Sequence, residues 1–194
     1  MARYKTKLRK RLGLLLPVLA GLLLLAGGNW LGRLFYPFPY RDIIVREAAV
    51  YHLDPLLVAA VIKAESNYRP TAKSVKGARG LMQIMPDTGE WIAGQMGMKS
   101  FQVEALDQPA VNIKFGCWYL ANLFNEFKGD KVLVLAAYNG GRGNVKHWIE
   151  AKRWTGTQAS LEQIPFEETR NYVDKVLKNY RIYRKLYQQE MGTP

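Results

Sequence analysis

Glu65 is the residue of this chain whose type and setting best fit chemistry. It closes the stretch LLVAAVIKAE, Leu56 to Glu65, in which Lys63 is the only other charge. On a helix Glu65 shares a face with Val58, Val61 and Ile62, which precede it by seven, four and three residues. It also falls in the last turn, where the negative end of the helix dipole disfavours an anion. Burial and dipole both push a carboxyl pKa upward, and an acid still protonated near neutral pH is what general-acid catalysis requires. The plain alternative is a structural Glu that reaches solvent or pairs with Lys63, Arg69 or Arg79.

Most enzymes that cleave glycosidic bonds use two carboxyl groups. None lies between Glu65 and Asp87; Asp54 is placed to cap a helix, and Asp87 and Glu90 sit in a first helical turn, where acids are favoured structurally. Glycosidic chemistry at Glu65 is therefore expected to run on a single carboxyl group. The other reactive types point elsewhere. Cys117 is the lone cysteine, which excludes an intrachain disulfide, and it falls on the helical stripe Ile113, Cys117, Leu120, Phe124, Phe127 as a small core hydrophobe. His52 and His147 lack partners at metal-ligand spacing, so neither a metal site nor a cofactor is expected.

The elements that must position Glu65 read as helices. Arg41 to His52 is amphipathic, and Asp54-Pro55 supplies an N-cap with Pro at the first helical position, so a second helix begins at Pro55. Residues 67–79 are polar and turn-forming, and Gly80 to Met85 is a short apolar run closed by Pro86. Asp87 or Thr88 is placed to cap a helix reaching Met96, and Asp107 one reaching Phe127. Asp130 opens a helix ending at Asn139-Gly140-Gly141; further helices are expected over Asn144 to Ala151 and Phe166 to Gln189. No long alternating pattern appears, so the class is all-α or mostly α, with at most a small β-hairpin near residues 67–85.

The 194 residues suit one domain plus an appendage. Residues 1–33 carry seven Lys or Arg and no acid, which leaves +5 of the formal +12 for residues 34–194. Residues 12–32 are uncharged, and their 21 positions are long enough to cross a bilayer. They are expected to form an N-terminal transmembrane helix; a cleavable signal peptide, with Ala26-Gly27-Gly28 as its cleavage site, is the other reading. Either way the positive-inside rule keeps the N-terminus cytoplasmic and sends the rest outside the plasma membrane. The expected organisation is a basic tail and anchor over 1–33, a Pro- and aromatic-rich linker over 34–40 standing off the membrane, and a catalytic domain over 41–190. Nucleic acid is not an expected partner of an exported domain.

Glu65-Ser66, then SVKGARGLMQIMPDT, AAYNGG and IPFEETRNYV, resembles the four ordered motifs of the family 1 lytic transglycosylases, whose soluble-lytic-transglycosylase catalytic domain has a lysozyme-like fold. The likeness covers about Ile43 to Tyr187. It implies cleavage of the β-1,4 bond between N-acetylmuramic acid and N-acetylglucosamine of peptidoglycan glycan strands without consuming water. By the same resemblance Glu65 is first acid and then base. The muramyl N-acetyl group assists departure, and closure by the C6 hydroxyl leaves a 1,6-anhydro ring.

Ser74 and Tyr138 match positions that support the catalytic carboxyl, while Gln83, Met85, Asn139 and Glu168 match positions lining the substrate groove. Gly89 and Arg142 depart from the family, which usually has Ala and frequently Pro there. Lys73, Lys76 and Arg79 cluster beside the groove, where they suit wall-peptide carboxylates, and Arg170, Lys175, Lys178, Arg181, Arg184 and Lys185 read as the wet face of the last helix. Two other readings stay open: a lysozyme-type hydrolase that positions a water, and a wall-binding protein without turnover.

Overall fold

An eleven-residue helix that is apolar on every side has to be wrapped by others, and this governs the architecture. In the computed structural model residues 30–191 are described. The expected transmembrane helix falls almost wholly in residues outside that range; among the described residues no helix is long and apolar enough to cross a membrane. The chain separates into two compact units, Met1–Pro37 and Phe38–Pro194.

Seven α-helices order the second unit: α1 (Arg41–Val50), α2 (Pro55–Glu65), α3 (Pro86–Gln95), α4 (Pro109–Glu126), α5 (Lys131–Gly140), α6 (Arg142–Glu150) and α7 (Glu167–Tyr187). Asp54 caps α2 as expected, its carboxylate accepting from the Leu56 amide at 2.8 Å with Pro55 at the first position. Every residue from Leu56 to Ile62 is buried. The long helix α7 packs along α2 and α5, α1 packs on α2 and α4, and α4 contacts α5. The buried face of α7 is the stripe Tyr172, Val173, Val176, Leu177, Tyr183, Leu186 and Tyr187, opposite an exposed basic face. Cys117 is fully buried in α4.

The expected hairpin shrinks to isolated antiparallel bridges, Lys73 with Arg79 and Arg79 with Ile84. Two caps differ from expectation. Helix α4 starts at Pro109 with no side-chain cap because the Asp107 carboxylate is taken by Arg79, which donates to it through Nε at 3.1 Å and Nη2 at 2.5 Å. Helix α3 starts at Pro86, with Met85 in the capping position, two residues before Asp87 and three before Thr88. Within residues 34–40, expected as a linker, the division between the two units falls after Pro37. The Phe38 ring packs edge-on against Tyr183 and Tyr187 at 5.8 and 5.4 Å, and Tyr40 caps α1 in a left-handed conformation.

Candidate active site

Helix α2 cannot run past Glu65. Ser66 leaves helical geometry, Asn67 and Tyr68 both take positive φ, and two side chains seal the end. Ser66 Oγ donates to the carbonyls of Ile62 and Leu81 at 3.3 and 2.8 Å, and Lys175 Nζ donates to the Ala64 carbonyl at 2.7 Å. Glu65 is thereby held at the helix terminus, at the floor of a cleft of about 350 Å³. Its pKa is raised to about 7, first because protein surrounds the carboxyl and strips its water, and further by the neighbouring Glu168 carboxylate. Tyr172 and Lys175 oppose this by favouring the charged form. The Tyr172 phenol is buried against Glu65 and interacts with it without completing a well-formed hydrogen bond. The cations weighed as structural partners of Glu65 have other hydrogen-bond partners: Lys63 donates to Asn67, Arg69 to the Ser66 carbonyl, and Arg79 to Asp107.

One wall is the loop between Ala72 and Met85, which carries three of the expected residues. It has little regular structure, so side chains hold its shape. Asn112, fully buried in α4, accepts from the Met82 amide at 2.7 Å and donates to the carbonyls of Arg79 and Leu106 at 2.9 and 2.8 Å. Gly80 sits against this amide with φ +80, where a Cβ would lie 2.2 Å from both Asn112 Nδ2 and the Leu106 carbonyl oxygen. Gln83 turns the loop in a left-handed conformation, and its Nε2 donates to the carbonyls of Ala72 and Gly80. Its amide nitrogen thus braces the loop, and its oxygen is the end suited to receive a donor from a ligand. Ser74 lines the cleft and accepts from the Ala78 amide at 3.0 Å, which leaves its own proton to donate. Met85 is an exposed apolar edge.

The facing wall comes from the end of α5 and the start of α7. Tyr138 donates to the Met82 carbonyl at 2.8 Å, tying α5 to the loop beside Glu65, and burial raises its own pKa so that it stays a neutral phenol. Asn139 Oδ1 accepts from Thr169 Oγ1 at 2.8 Å, which fixes the amide at the junction of α5 and α7. Glu168 is mostly exposed and pairs with Lys76 at 3.3 Å across the mouth.

All seven residues expected from sequence, Glu65, Ser74, Gln83, Met85, Tyr138, Asn139 and Glu168, line this one cleft, with Val75, Lys76 and Ala78 between them. Sequence reasoning quoted Ser66 and Tyr172 within motifs and placed Lys175 on the wet face but gave none of the three a role at the site, and it passed over Asn112. Lys175 is exposed, as expected of the wet face, and its ammonium also reaches the end of α2, donating to the Ala64 carbonyl beside Glu65. Arg79 is not a free groove cation, since its side chain is 13% exposed and bound to Asp107. Asn112 carried one signal, an amide beside Ile113 at the start of an otherwise apolar helical stripe.

The description "Transglycosylase SLT domain" fits residues 42–161, and "Soluble lytic transglycosylase helical domain" fits residues 163–191. The chain is 32% identical over 157 residues to the soluble lytic murein transglycosylase of Salmonella typhimurium, covering 80% of this chain and 24% of that protein. It is 31% identical over 165 residues to the membrane-bound lytic murein transglycosylase C of Haemophilus ducreyi, covering 74% of this chain and 45% of the relative. Among solved structures, an inactive mutant of the lytic transglycosylase Slt of Pseudomonas aeruginosa superposes with a TM-score of 0.73 at 35% identity, over 82% of this chain and 26% of that one. The chain thus spans about a quarter of the length of the soluble relatives it matches.

Proposed function

Because this chain belongs to the transglycosylase SLT domain family, we propose that its residues 41–190 form a peptidoglycan lytic transglycosylase. The bond cleaved is the β-1,4 link between N-acetylmuramic acid and N-acetylglucosamine, and the products carry 1,6-anhydro-N-acetylmuramic acid ends. The observation that carries this reading is a single half-buried carboxyl with a pKa of about 7, at the floor of a cleft with polar walls. Near neutral pH a large share of Glu65 is protonated and able to give its proton to the glycosidic oxygen as the bond to C1 breaks. The muramyl N-acetyl oxygen supplies the electron pair that C1 loses. Glu65, now a carboxylate, takes the proton of the C6 hydroxyl as that oxygen attacks C1 and displaces the acetamido oxygen. The proton given in the first step is recovered in the second, and no water is consumed.

In this scheme Tyr138 and Ser74 support the acid, and the saccharide is gripped by Gln83, Met85, Asn139 and Glu168. Tyr172 and Lys175 moderate the pKa rise so that Glu65 also serves as a base. Residues 12–32 anchor the protein in the plasma membrane, with the N-terminus cytoplasmic and the catalytic domain outside. A relative whose name includes "membrane-bound" supports an enzyme of this kind working beside a membrane.

Glu168 favours one second reading, because a second carboxyl group lines the same cleft. In a lysozyme-type hydrolase it would take part in activating a water. Mass spectrometry of muropeptides released from purified sacculi separates the two readings, since a hydrolase leaves reducing N-acetylmuramic acid ends. The lytic transglycosylase reading expects anhydro ends from wild type and from Glu168→Gln, and none from a folded Glu65→Gln.

A further inference from the structure

We propose that the exposed basic face on the C-terminal half of α7, formed by Arg181, Arg184 and Lys185, docks on anionic phospholipid headgroups of the membrane that residues 12–32 enter. The inference rests on the reading of those residues as an uncleaved anchor, to which it adds a second contact with the same surface.

Chain length brings this face to the lipid. Trp30, Leu31, Leu34 and Phe35 expose large apolar side chains of the kind that settle at a membrane interface. Phe38 follows Phe35 by three residues, which span at most about 10 Å. The Phe38 ring in turn is fixed on Tyr183 and Tyr187 of α7, with the Arg41 guanidinium 5.9 Å from its centre. Arg181, Arg184 and Lys185 flank those two tyrosines in the chain and are all exposed. The second half of α7 is therefore tethered within a few residues of the lipid.

The charges on this side of the helix do not cancel. Between Asp174 and Glu190 the chain carries Lys175, Lys178, Arg181, Arg184 and Lys185 and no acid. Lys175 turns to the Ala64 carbonyl, Lys178 pairs with Asp174 at 2.5 Å, and Glu190 is taken by Arg41 at 2.6 Å. Asp54 accepts from the Tyr180 hydroxyl and lies near Lys131, while Asp130 caps α5. Asp42, exposed in the first turn of α1, is the acid that opposes docking. Three cations then stand against one acid. Arg181 donates through Nε to the Leu177 carbonyl at 3.4 Å and Arg184 through Nε to Gln188 at 2.9 Å, which leaves the Nη groups of both for an outside acceptor. A guanidinium steadied in this way suits a phosphate. So few cations bind a free protein weakly, but the anchor makes the contact intramolecular, where weak binding suffices. Glu168, at the mouth of the cleft, stands on the same helix roughly 20 Å from Arg181, so docking sets how the cleft is presented to the wall.

The test uses the full chain reconstituted in phosphatidylcholine vesicles with and without phosphatidylglycerol, carrying a donor dye at Gln189→Cys. Gln189 is exposed and Cys117 is buried, so the dye goes to the introduced thiol. Energy transfer to an acceptor dye on the headgroups should rise with phosphatidylglycerol and fall back in high salt. Arg181→Gln combined with Lys185→Gln should lower the ratio of docked to undocked protein roughly 25-fold, about fivefold for each cation. Lys152→Gln with Arg153→Gln removes equal charge after α6, whose Trp148 packs on Phe166 at the opposite end of α7, and should leave that ratio unchanged. Transfer that ignores phosphatidylglycerol, or equal losses from the two double variants, would overturn the proposal. Binding to purified sacculi that needs Arg181 and Lys185, with no such dependence on lipid, would give the face to the wall and overturn it as well. Failure of the anchor reading looks different: high salt strips the protein from phosphatidylcholine vesicles, while binding to phosphatidylglycerol that needs Arg181 and Lys185 persists.

Discussion

Burial pushes the Glu65 carboxyl up while Tyr172 and Lys175 push it down, and burial wins, leaving a pKa of about 7. Two variants with opposite signs test that balance. Tyr172→Phe removes an interaction that favours the charged form, so the pKa rises and the alkaline limb of the kcat/KM profile moves to higher pH. Glu168→Gln removes a neighbouring negative charge, so the same limb moves to lower pH. Stability carries the same signature. Because the folded state holds the Glu65 proton more tightly than the unfolded chain, the folded protein binds more protons between pH 4.5 and about 7, and stability declines as pH rises through that window. Glu65→Gln should abolish that part of the decline, as read by thermal denaturation across pH. Glu65 was legible in sequence because it breaks two local rules at once, an acid on an apolar stripe and an acid at a helix C-terminus. Tyr172 and Lys175 were not, because periodicity assigns residues to faces of their own helix and says nothing of which neighbour's end those faces meet.

Helix α2 and the loop over 72–85 depend on each other, and a few polar groups carry the dependence. Asn112 satisfies one amide and two carbonyls of buried backbone. Asn112→Ala would leave those groups unpaired and is expected to cost roughly 3 kcal/mol or more in urea denaturation, with a parallel loss of turnover as the wall carrying Ser74, Gln83 and Met85 loosens. Gly80→Ala, which adds a Cβ both at positive φ and against Asn112, should fall in the same range. The helices themselves were readable wherever a side-chain cap exists, as at Asp54 and Asp130, each of which accepts from the first-turn amides of its helix. The misreading at Asp107 has a definite cause. An acid before a helix can cap it or bind a cation brought in from elsewhere, and Arg79, distant in sequence, is invisible to a local rule.

At the scale of the molecule, the unit Phe38–Pro194 contains all ten residues that line the cleft. A fragment beginning at Phe38 is therefore expected to unfold cooperatively and to retain turnover on purified sacculi. The full chain should remain with membranes after a high-salt wash if residues 12–32 are an uncleaved anchor; recovery in the soluble fraction with a new N-terminus near Gly28 would replace the anchor with a signal peptide. The mostly α class was legible from the lack of alternation and from the caps. The way α7 returns along α2 was not, since it rests on contacts between segments more than a hundred residues apart, such as Lys175 with Ala64 and Asn179 with Ala60. That return places Tyr172 and Lys175 beside Glu65 and Glu168 at the mouth of the cleft. The most direct test of the central claim, that one carboxyl group serves as acid and then as base, is mass spectrometry of muropeptides released from sacculi by wild type and by folded Glu65→Gln. The account predicts 1,6-anhydro-N-acetylmuramic acid ends from the first and no release by the second; reducing N-acetylmuramic acid ends from wild type, or undiminished release by Glu65→Gln, would contradict it.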